Sequence, residues 1–337
     1  MSGIEEVARR AGVSPATVSR ALSGRGAVSP TTRDRVHGVA RELGYVVSSS
    51  ASALATGRMR NVGIVLPFLN RWFYGAVVEG AQSALLGQGY DLTLYNLGGG
   101  EEERRSVFEH FLLRKRVDAV IAVSLEPTPG EVQRLHELRK PIIGVGGPVP
   151  GVRTLSIDEV AVARLATEHL LGLGHRRIAH IGGGHTRELD FNLPSSRRTG
   201  FEQALRAVDA PPVPEWELRS DFTVPGGYAA AEQLLGGADR PTAIFAASDE
   251  MAIGAMLAAR DLGLQVPRDV SIVGIDDHEL AEFFGLTTVA QYPERQGRMA
   301  VDVLMTELDP RHPVPDAVDT PLPFDLVVRS STARPAG

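Results

Sequence analysis

Hydrophobic and polar positions change rhythm twice along this chain. In the first 45 residues Ile4, Val7, Ala8 and Ala11 recur at helical spacing. Gly12-Val13-Ser14 breaks that run, and Ser14-Pro15 opens a second helix. Ser is a good N-cap, and Pro suits the first helical turn because its missing N–H is not needed there. Val18, Ala21 and Leu22 supply the apolar face of this second helix. A third begins near Ser29-Pro30, carries Val36, Val39, Ala40 and Leu43, and ends at Gly44. Residues 46–60 are small and polar, with few anchors. They read either as a flexible linker or as a short helix over 50–55 that forms only against a partner.

From Asn61 short β-branched runs alternate with amphipathic stretches. Strands are predicted at 62–66, 91–95, 119–124, 142–145, 178–181, 243–247 and 271–275. Helices are predicted at 75–86, 101–114, 161–171, 197–207, 227–235 and 250–262. Such alternation predicts parallel sheets covered by helices on both faces. About ten strands exceed a sheet of ordinary size. Two similar halves are therefore expected, near 61–158 and 159–288, with a terminal strand over 324–329 joining one of the sheets.

The 337 residues include no cysteine. That excludes a disulfide framework, zinc thiolates and a cysteine nucleophile. No stretch reaches the ~18 apolar residues of a membrane helix. The start, Met1-Ser-Gly-Ile-Glu-Glu, lacks the basic-then-apolar pattern of a secretory signal, so a cytoplasmic location is expected. The net charge of −6 discourages a nucleic-acid reading until it is divided. Residues 1–60 carry nine arginines against four acidic residues, a net +5. The rest carries 26 basic and 37 acidic residues, a net −11. A basic head on an acidic body is the asymmetry to explain.

Enzymatic signatures are missing. The glycine runs at 98–100, 144–147 and 182–184 do not complete a dinucleotide-binding turn with its acidic partner. A phosphate-binding P-loop is excluded because Lys115 and Lys140 are followed by Arg and Pro. His278-Glu-Leu-Ala-Glu282 has Glu where a zinc-protease motif needs its second His. Asp276-Asp277-His278 follows the strand 271–275 at its carboxyl edge, where α/β sheets hold ligands. Ligand hydrogen bonding suits that cluster better than metal or acid–base work, and Asp277 also suits helix capping. No catalytic residue, metal or cofactor is assigned.

Residues 4–23 carry the decisive motif. A helix-turn-helix needs small residues where its helices touch, a Gly in the turn and a β-branched residue facing back. Ala8, Gly12 and Val18 meet that pattern. The second helix then offers Pro15, Ala16, Thr17, Ser19 and Arg20 to a major groove.

Val13-Ser-Pro-Ala-Thr-Val-Ser-Arg-Ala-Leu22, Val28-Ser-Pro-Thr-Thr-Arg33 and Glu42-Leu-Gly-Tyr45 closely resemble the DNA-binding domain of the LacI/GalR family of bacterial transcription regulators. The similarity runs on through His169 to Ile178, Arg197 to Phe201, Pro241 to Gly254 and Val266 to Asp277. Leu286 to Val289 and Leu326 to Thr332 complete it. The resemblance spans nearly the whole chain. It implies an α/β protein: an all-α helix-turn-helix head plus two doubly wound parallel α/β subdomains of the periplasmic-binding-protein kind. The implied domains are a head at 1–46 and a hinge at 47–60. A first effector subdomain follows at 61–158 plus 291–318, and a second at 159–289 plus 321–332. The chain would cross between the subdomains near 158, 290 and 320.

The resemblance also implies roles. Arg20 would read a base, guanine, through its bidentate fork. Thr17 and Ser19 suit phosphate or base contact, and Pro15 and Ala16 offer apolar contact only. Ser29, Thr32 and Tyr45 resemble phosphate contacts, with helix capping (Ser29) and core packing (Tyr45) as the alternatives. Leu54 aligns with a leucine that prises open the central base step of the operator. Val47 and Ser52 stand where the family commonly has Pro and Arg. Arg197, Phe222, Asp249 and Asp276 align with effector-contacting positions. Phe73, Tyr74 and Ser124, at strand ends, complete the candidate effector set. For Arg197 an interdomain ion pair is the alternative, and for Phe222 core packing. His185, Arg187, Asp190, Phe191 and Asn192 fall in a loop that looks longer than is common and is expected to reshape the cleft.

Together these features describe a dimeric repressor of palindromic double-stranded DNA controlled by a small molecule, a sugar first and a purine or nucleoside second. A C-terminal helical tetramerisation segment is not seen, which favours a homodimer. A solute-binding protein would need a signal peptide and no helix-turn-helix. An α/β enzyme would need a nucleotide motif.

Overall fold

The structure is a computed structural model. It describes residues 3–23, 27–45, 58–98, 100–114, 116–147, 149–184, 193–309, 311 and 319–336. The chain divides into two compact units, Met1–Arg60 and Asn61–Gly337.

The first unit holds helices Ile4–Ala11, Pro15–Ser23 and Pro30–Glu42. Gly12 ends the first of them in the left-handed region, at φ 63°, where a residue without Cβ is unstrained. Its N–H and that of Val13 reach back to the carbonyls of Arg9 and Ala8. The Ser14 hydroxyl accepts from Thr17 N–H at 3.2 Å, and Ser29 caps the third helix by accepting from Thr32 N–H. Val7, Ala8, Ala11, Val18, Ala21, Val36 and Ala40 form a small buried core. Leu22, Val39, Leu43 and Tyr45 pack against it.

The second unit contains two six-stranded sheets. The strands are β1 (Asn61–Leu66), β2 (Asp91–Asn96), β3 (Ala119–Val123), β4 (Ile142–Gly146), β5 (Arg153–Ser156) and β6 (Ile178–Gly183). They continue with β7 (Glu217–Ser220), β8 (Ala243–Ala246), β9 (Ser271–Asp276), β10 (Thr287–Ala290), β11 (Asp319–Pro321) and β12 (Asp325–Val327). The first sheet has the order β11-β5-β4-β3-β1-β2 and every pairing in it is parallel. The second runs β12-β10-β9-β8-β6-β7 and is parallel except for β12 on β10. Interior strands β3, β8 and β9 are buried along their whole length, as expected of strands covered on both faces.

The chain passes between the sheets after β5, after β10 and after β11. Asp319–Pro321 pairs with β5, and Leu322 N–H donates to Ser156 O. Pro321 therefore belongs to the first sheet and not to the second subdomain, and the third passage, near 320, follows it. The helix Pro293–Leu308 crosses Trp72–Gly87 backbone to backbone. A Cβ on Gly80 would lie 2.6 Å from the Glu294 carbonyl carbon. One on Gly297 would lie 2.7 Å from Ala81 N. In the other half Gly227 and Gly254 play the same part between Val224–Leu235 and Asp249–Asp261.

Some elements differ from the sequence expectation. The stretch 101–114 is not one regular helix. A turn of α-helix, Glu101–Ser106, widens to i→i+5 bonding over Val107–Phe111 and tightens at Leu112–Arg114. The wide turn admits an extra residue, so Val107, Phe108 and Leu112 all face the core while Phe111 turns outward. Strands β5, β7, β10 and β11, with helices Pro129–Glu137 and Pro293–Leu308, lacked a clear pattern in the sequence.

Candidate functional site

The head presents its second helix with one face inside and one outside. Val18 and Ala21 are buried, while Pro15, Ala16 and Arg20 are exposed. Thr17 and Ser19 are half-buried. The Arg20 Nε folds back onto Ala16 O at 3.2 Å, within reach of the helix's N-terminal end. The Thr17 hydroxyl lies 3.0 Å from that of Ser14, and Thr32 accepts from the Ser29 hydroxyl at 2.8 Å. Ser29 thus caps a helix, and the Tyr45 ring packs on the core. Leu54, Val47 and Ser52 lie outside the described residues.

In the second unit the carboxyl ends of both sheets surround a cavity of about 270 Å³. This is where open α/β sheets bind ligands. Phe68 follows β1, Ser124 follows β3, and Gly146 ends β4. From the other sheet come Gly184 after β6, Ser220 ending β7, Ser248 after β8 and Asp276 ending β9.

Six of the seven candidate effector residues line this cavity. Phe73 and Tyr74 begin the helix Trp72–Gly87 and meet edge to face at 5.6 Å. Ser124 is buried and held by its N–H to Val145 O at 2.7 Å. Arg197 is 3% exposed. Its Nε donates to Glu159 Oε2 at 2.7 Å and its Nη1 to Ala247 O. Glu159 begins a helix packed against the second sheet, so this ion pair lies within one subdomain and does not bridge two. Phe222 combines both readings given for it. Its ring covers Gly183, where a Cβ would lie 2.5 Å from Cζ, and it also faces the cavity. Asp276 has φ 124°, a strained value for a non-glycine residue. Its Oδ1 accepts from Gln291 Nε2 at 2.9 Å. Burial raises its carboxyl well above the usual range, partly offset by the Arg197 charge.

Asp249 is the exception, since it does not line the cavity. It is fully buried and ties β10 to the turn after β9. Its Oδ1 accepts from the Thr288 hydroxyl at 2.7 Å and its Oδ2 from His278 N–H at 2.8 Å. Burial pushes its pKa up to about 7 against the pull of those two bonds. A carboxyl whose folded pKa is raised stabilises below its unfolded value near 3.8, and that contribution is lost as pH rises through 7. Asp249→Asn mimics the protonated form, with its amide donating to Thr288 and its oxygen accepting from His278. Urea unfolding between pH 4.5 and 7.5 should show the wild type losing stability relative to this variant as pH rises. A constant difference across the range would contradict the assignment.

Several lining residues carried no sequence signal of their own. Glu250 adjoins Asp249, but at the helix start the two side chains diverge and Glu250 takes the cavity. Burial raises its pKa. Its Oε2 accepts from Trp72 N–H at 3.4 Å, across the cleft. Arg71 donates to Asp221 O at 3.1 Å, also across the cleft. The Trp72 and His278 rings lie 4.7 Å apart. Gln291 and Gln296 come from the second passage between sheets. The loop residues His185, Arg187, Asp190, Phe191 and Asn192 lie outside the described residues. No metal-binding group of three or more acidic or His side chains occurs among the described residues. No described helix is long and apolar enough to cross a membrane.

Comparison with known proteins gives concordant results. Residues 3–48 match the profile of bacterial regulatory proteins of the lacI family, and residues 167–332 that of the periplasmic binding protein-like domain. The chain is 32% identical over 313 residues to the HTH-type transcriptional repressor PurR of Vibrio vulnificus, covering 91% of this chain and 92% of that one. It is 32% identical to the PurR repressor of Edwardsiella ictaluri, covering 99% and 97%. Among solved structures it resembles the lac repressor dimer bound to operator and the anti-inducer ONPF. That match has a TM-score of 0.84, 27% identity, and coverage of 98% and 99%. A complex of the regulator CelR with cellobiose matches with a TM-score of 0.70, 33% identity, and coverage of 98% and 100%. A ribose-bound regulator from Enterococcus faecium matches with a TM-score of 0.72, 25% identity, and coverage of 81% and 99%.

Proposed function

The chain belongs to the LacI/GalR family of bacterial transcriptional regulators, and on that premise we propose that a sugar held in its cleft sets its affinity for operator DNA. It is a repressor that binds DNA as a dimer under small-molecule control. One observation carries the sugar reading: the carboxyl ends of two sheets meet around a cavity that combines aromatic faces with paired charges. Aromatic rings stack on the apolar face of a sugar ring, while Asp276 and the glutamines take its hydroxyls. The relatives solved with cellobiose and with ribose support this assignment. The four rings of Phe68, Phe73, Tyr74 and Phe222 also favour a second reading, a purine or nucleoside stacked between them.

In this reading Arg20 takes a guanine edge, Pro15 and Ala16 touch apolar base atoms, and Thr17 and Ser19 add polar contacts. Ser29, Thr32 and Tyr45 position the head on phosphates. Leu54 from each subunit opens the central base step of a palindromic operator. The ligand acts by preferring one cleft state, and a full switch needs a preference of about 5.5 kcal/mol. The repressor works in the cytoplasm, where its promoters are.

A gel shift on the chain's own upstream DNA tests this, with and without a panel of sugars and purines. Affinity should fall steeply between low and moderate salt because phosphate contacts release counterions. Arg20→Ala should cost about 1–3 kcal/mol of discrimination against random DNA. A flat salt response, or unchanged discrimination in Arg20→Ala, would refute the head assignment. Release or tightening by one ligand identifies the effector.

A further inference from the structure

The cavity takes the carboxyl ends of the strands, and each sheet has a second edge where its parallel strands begin. Basic residues gather at that edge in both halves, but they are engaged differently. On the second sheet, Arg177 before β6 pairs with Asp239, and Arg268 before β9 pairs with Asp269 at 3.0 Å. Asp269 also feels the charge of Arg240, which precedes β8. On the first sheet, Arg114 and Arg116 precede β3, and Arg139 and Lys140 precede β4. Arg114, Arg116 and Arg139 are exposed, and Lys140 is half-buried. None of these four pairs with an acid among the described residues. Arg114 lays its guanidinium over the Phe111 ring at 4.5 Å, which leaves the N–H groups at its rim open.

Topology places these cations together. The order β11-β5-β4-β3-β1-β2 puts β4, β3 and β1 side by side, and their parallel pairing puts their amino ends on one edge. Asn61 opens β1, and its Nδ2 donates to Arg116 O at 3.0 Å. The chain that leaves the head therefore enters the second unit beside Arg116. Acids occupy the outer strands instead, Asp91 at the start of β2 and Asp319 at the start of β11. Glu137 is taken by Arg134, Glu307 by Arg153 and Asp309 by Arg311, while Asp118 is buried. A cation after a helix end is ordinary, since it complements the helix dipole. That role does not explain why only the first sheet leaves its cations without acids, in a body whose net charge from residue 61 onward is −11.

We infer that this basic edge of the effector unit is a second DNA-binding surface, which takes phosphates of the same duplex that the head reads. The edge is the one to which the head is joined, and residues 46–57 between them include no acidic residue to compete for it. Three neighbouring strands span about 10 Å at their usual spacing. A duplex carries one negative charge per about 1.7 Å of its axis, so a strip of that width meets several phosphates. Guanidiniums with open N–H groups bind phosphate oxygens through paired, charge-assisted bonds. Such contacts add affinity and salt dependence but carry no sequence information. The arginines of the second sheet, already paired with acids, have no such part.

Salt-dependent binding of the full-length chain to its upstream DNA fragment, and to an unrelated duplex, tests the inference. The variant is Arg116→Gln/Arg139→Gln/Lys140→Gln, which spares Arg114 because its stack on Phe111 packs the surface. The control is Arg206→Gln/Arg240→Gln/Arg260→Gln, which removes the same charge from exposed positions of the second half. Loss of even one phosphate contact per subunit should make the slope of log affinity against log salt shallower by about 2 in the dimer. At moderate salt the variant should bind roughly tenfold more weakly to both duplexes, so that discrimination between them is unchanged. Its melting temperature and dimer mass should match wild type, and the control should keep the wild-type slope. Phosphate-ethylation interference should show positions protected by wild type and lost in the variant. An unchanged slope in the variant, with operator binding intact, would overturn the inference and leave the repressor standing. Equal slopes in variant and control, both shallower than wild type, would also overturn it, because the effect would then be one of overall charge. Dissociation of the variant to monomers would overturn it in favour of a subunit interface at this edge.

Discussion

Replacing Arg197 by Ala is expected to destabilise the second unit by about 3–5 kcal/mol and to abolish the effector response. The guanidinium is almost fully buried between the Glu159 carboxylate and the Ala247 carbonyl. Removing it leaves Glu159, whose side chain is 15% exposed, without its counter-charge. It also strips Asp276 of the positive charge that offsets its burial. Equilibrium urea unfolding of the variant measures the loss. The double variant Arg197→Met/Glu159→Leu should recover much of the stability, since an apolar pair carries no desolvation penalty. It should still fail to answer the ligand. A loss below about 1 kcal/mol in Arg197→Ala would mean that the pair is more hydrated than its burial implies.

Gly254→Val is expected to destabilise the same unit by about 3 kcal/mol or to prevent folding. Helices Val224–Leu235 and Asp249–Asp261 cross with their backbones in contact at this residue. A Cβ on Gly254 would overlap the Val224 carbonyl oxygen and lie 2.6 Å from Tyr228 N. Those are backbone atoms on a packed helix and have no rotamer with which to yield. Gly254→Ala should already be destabilising. Gly130→Ala is the control: it lies in the helix Pro129–Glu137 with nothing within 4 Å of a new Cβ, and it should be neutral or slightly stabilising. Thermal and urea unfolding of the three variants would order them. Equal stability of Gly254→Ala and wild type would refute the crossing.

The head was readable residue by residue because its determinants are local. Ala8, Gly12 and Val18 meet within one turn and two short helices, and three capping or turn residues punctuate them. Strands β1, β3 and β9 were readable as continuous apolar runs because both of their faces are covered. Edge strand β7, Glu-Leu-Arg-Ser, is part-polar because one side meets solvent, and β11 is three residues long. Neither leaves a pattern that a window of sequence can register.

The cleft divides along the same line. Its strand-end residues, such as Phe73, Tyr74 and Asp276, sit where any α/β sheet exposes its carboxyl edge. Asp249 aligned with them and yet turned inward, because the first residue of its helix points at Thr288 and its successor at the cavity. Glu159, Gln291 and Gln296 come from passages between the sheets that lie about 130 residues apart in the chain.

The sequence by itself determined the head, its basic charge, the alternation that builds two parallel sheets and the family to which the chain belongs. The head and the alternation rest on spacing within some twenty residues, the range over which periodicity and capping act, while the charge is a sum over residues 1–60 and the family rests on motifs spread along nearly the whole chain. Only the tertiary structure decided which side chains share the cavity, which carboxyl is structural and which cations share one edge. Those depend on distances between residues far apart in sequence, set by where two sheets meet and how closely glycine-lined helices pack.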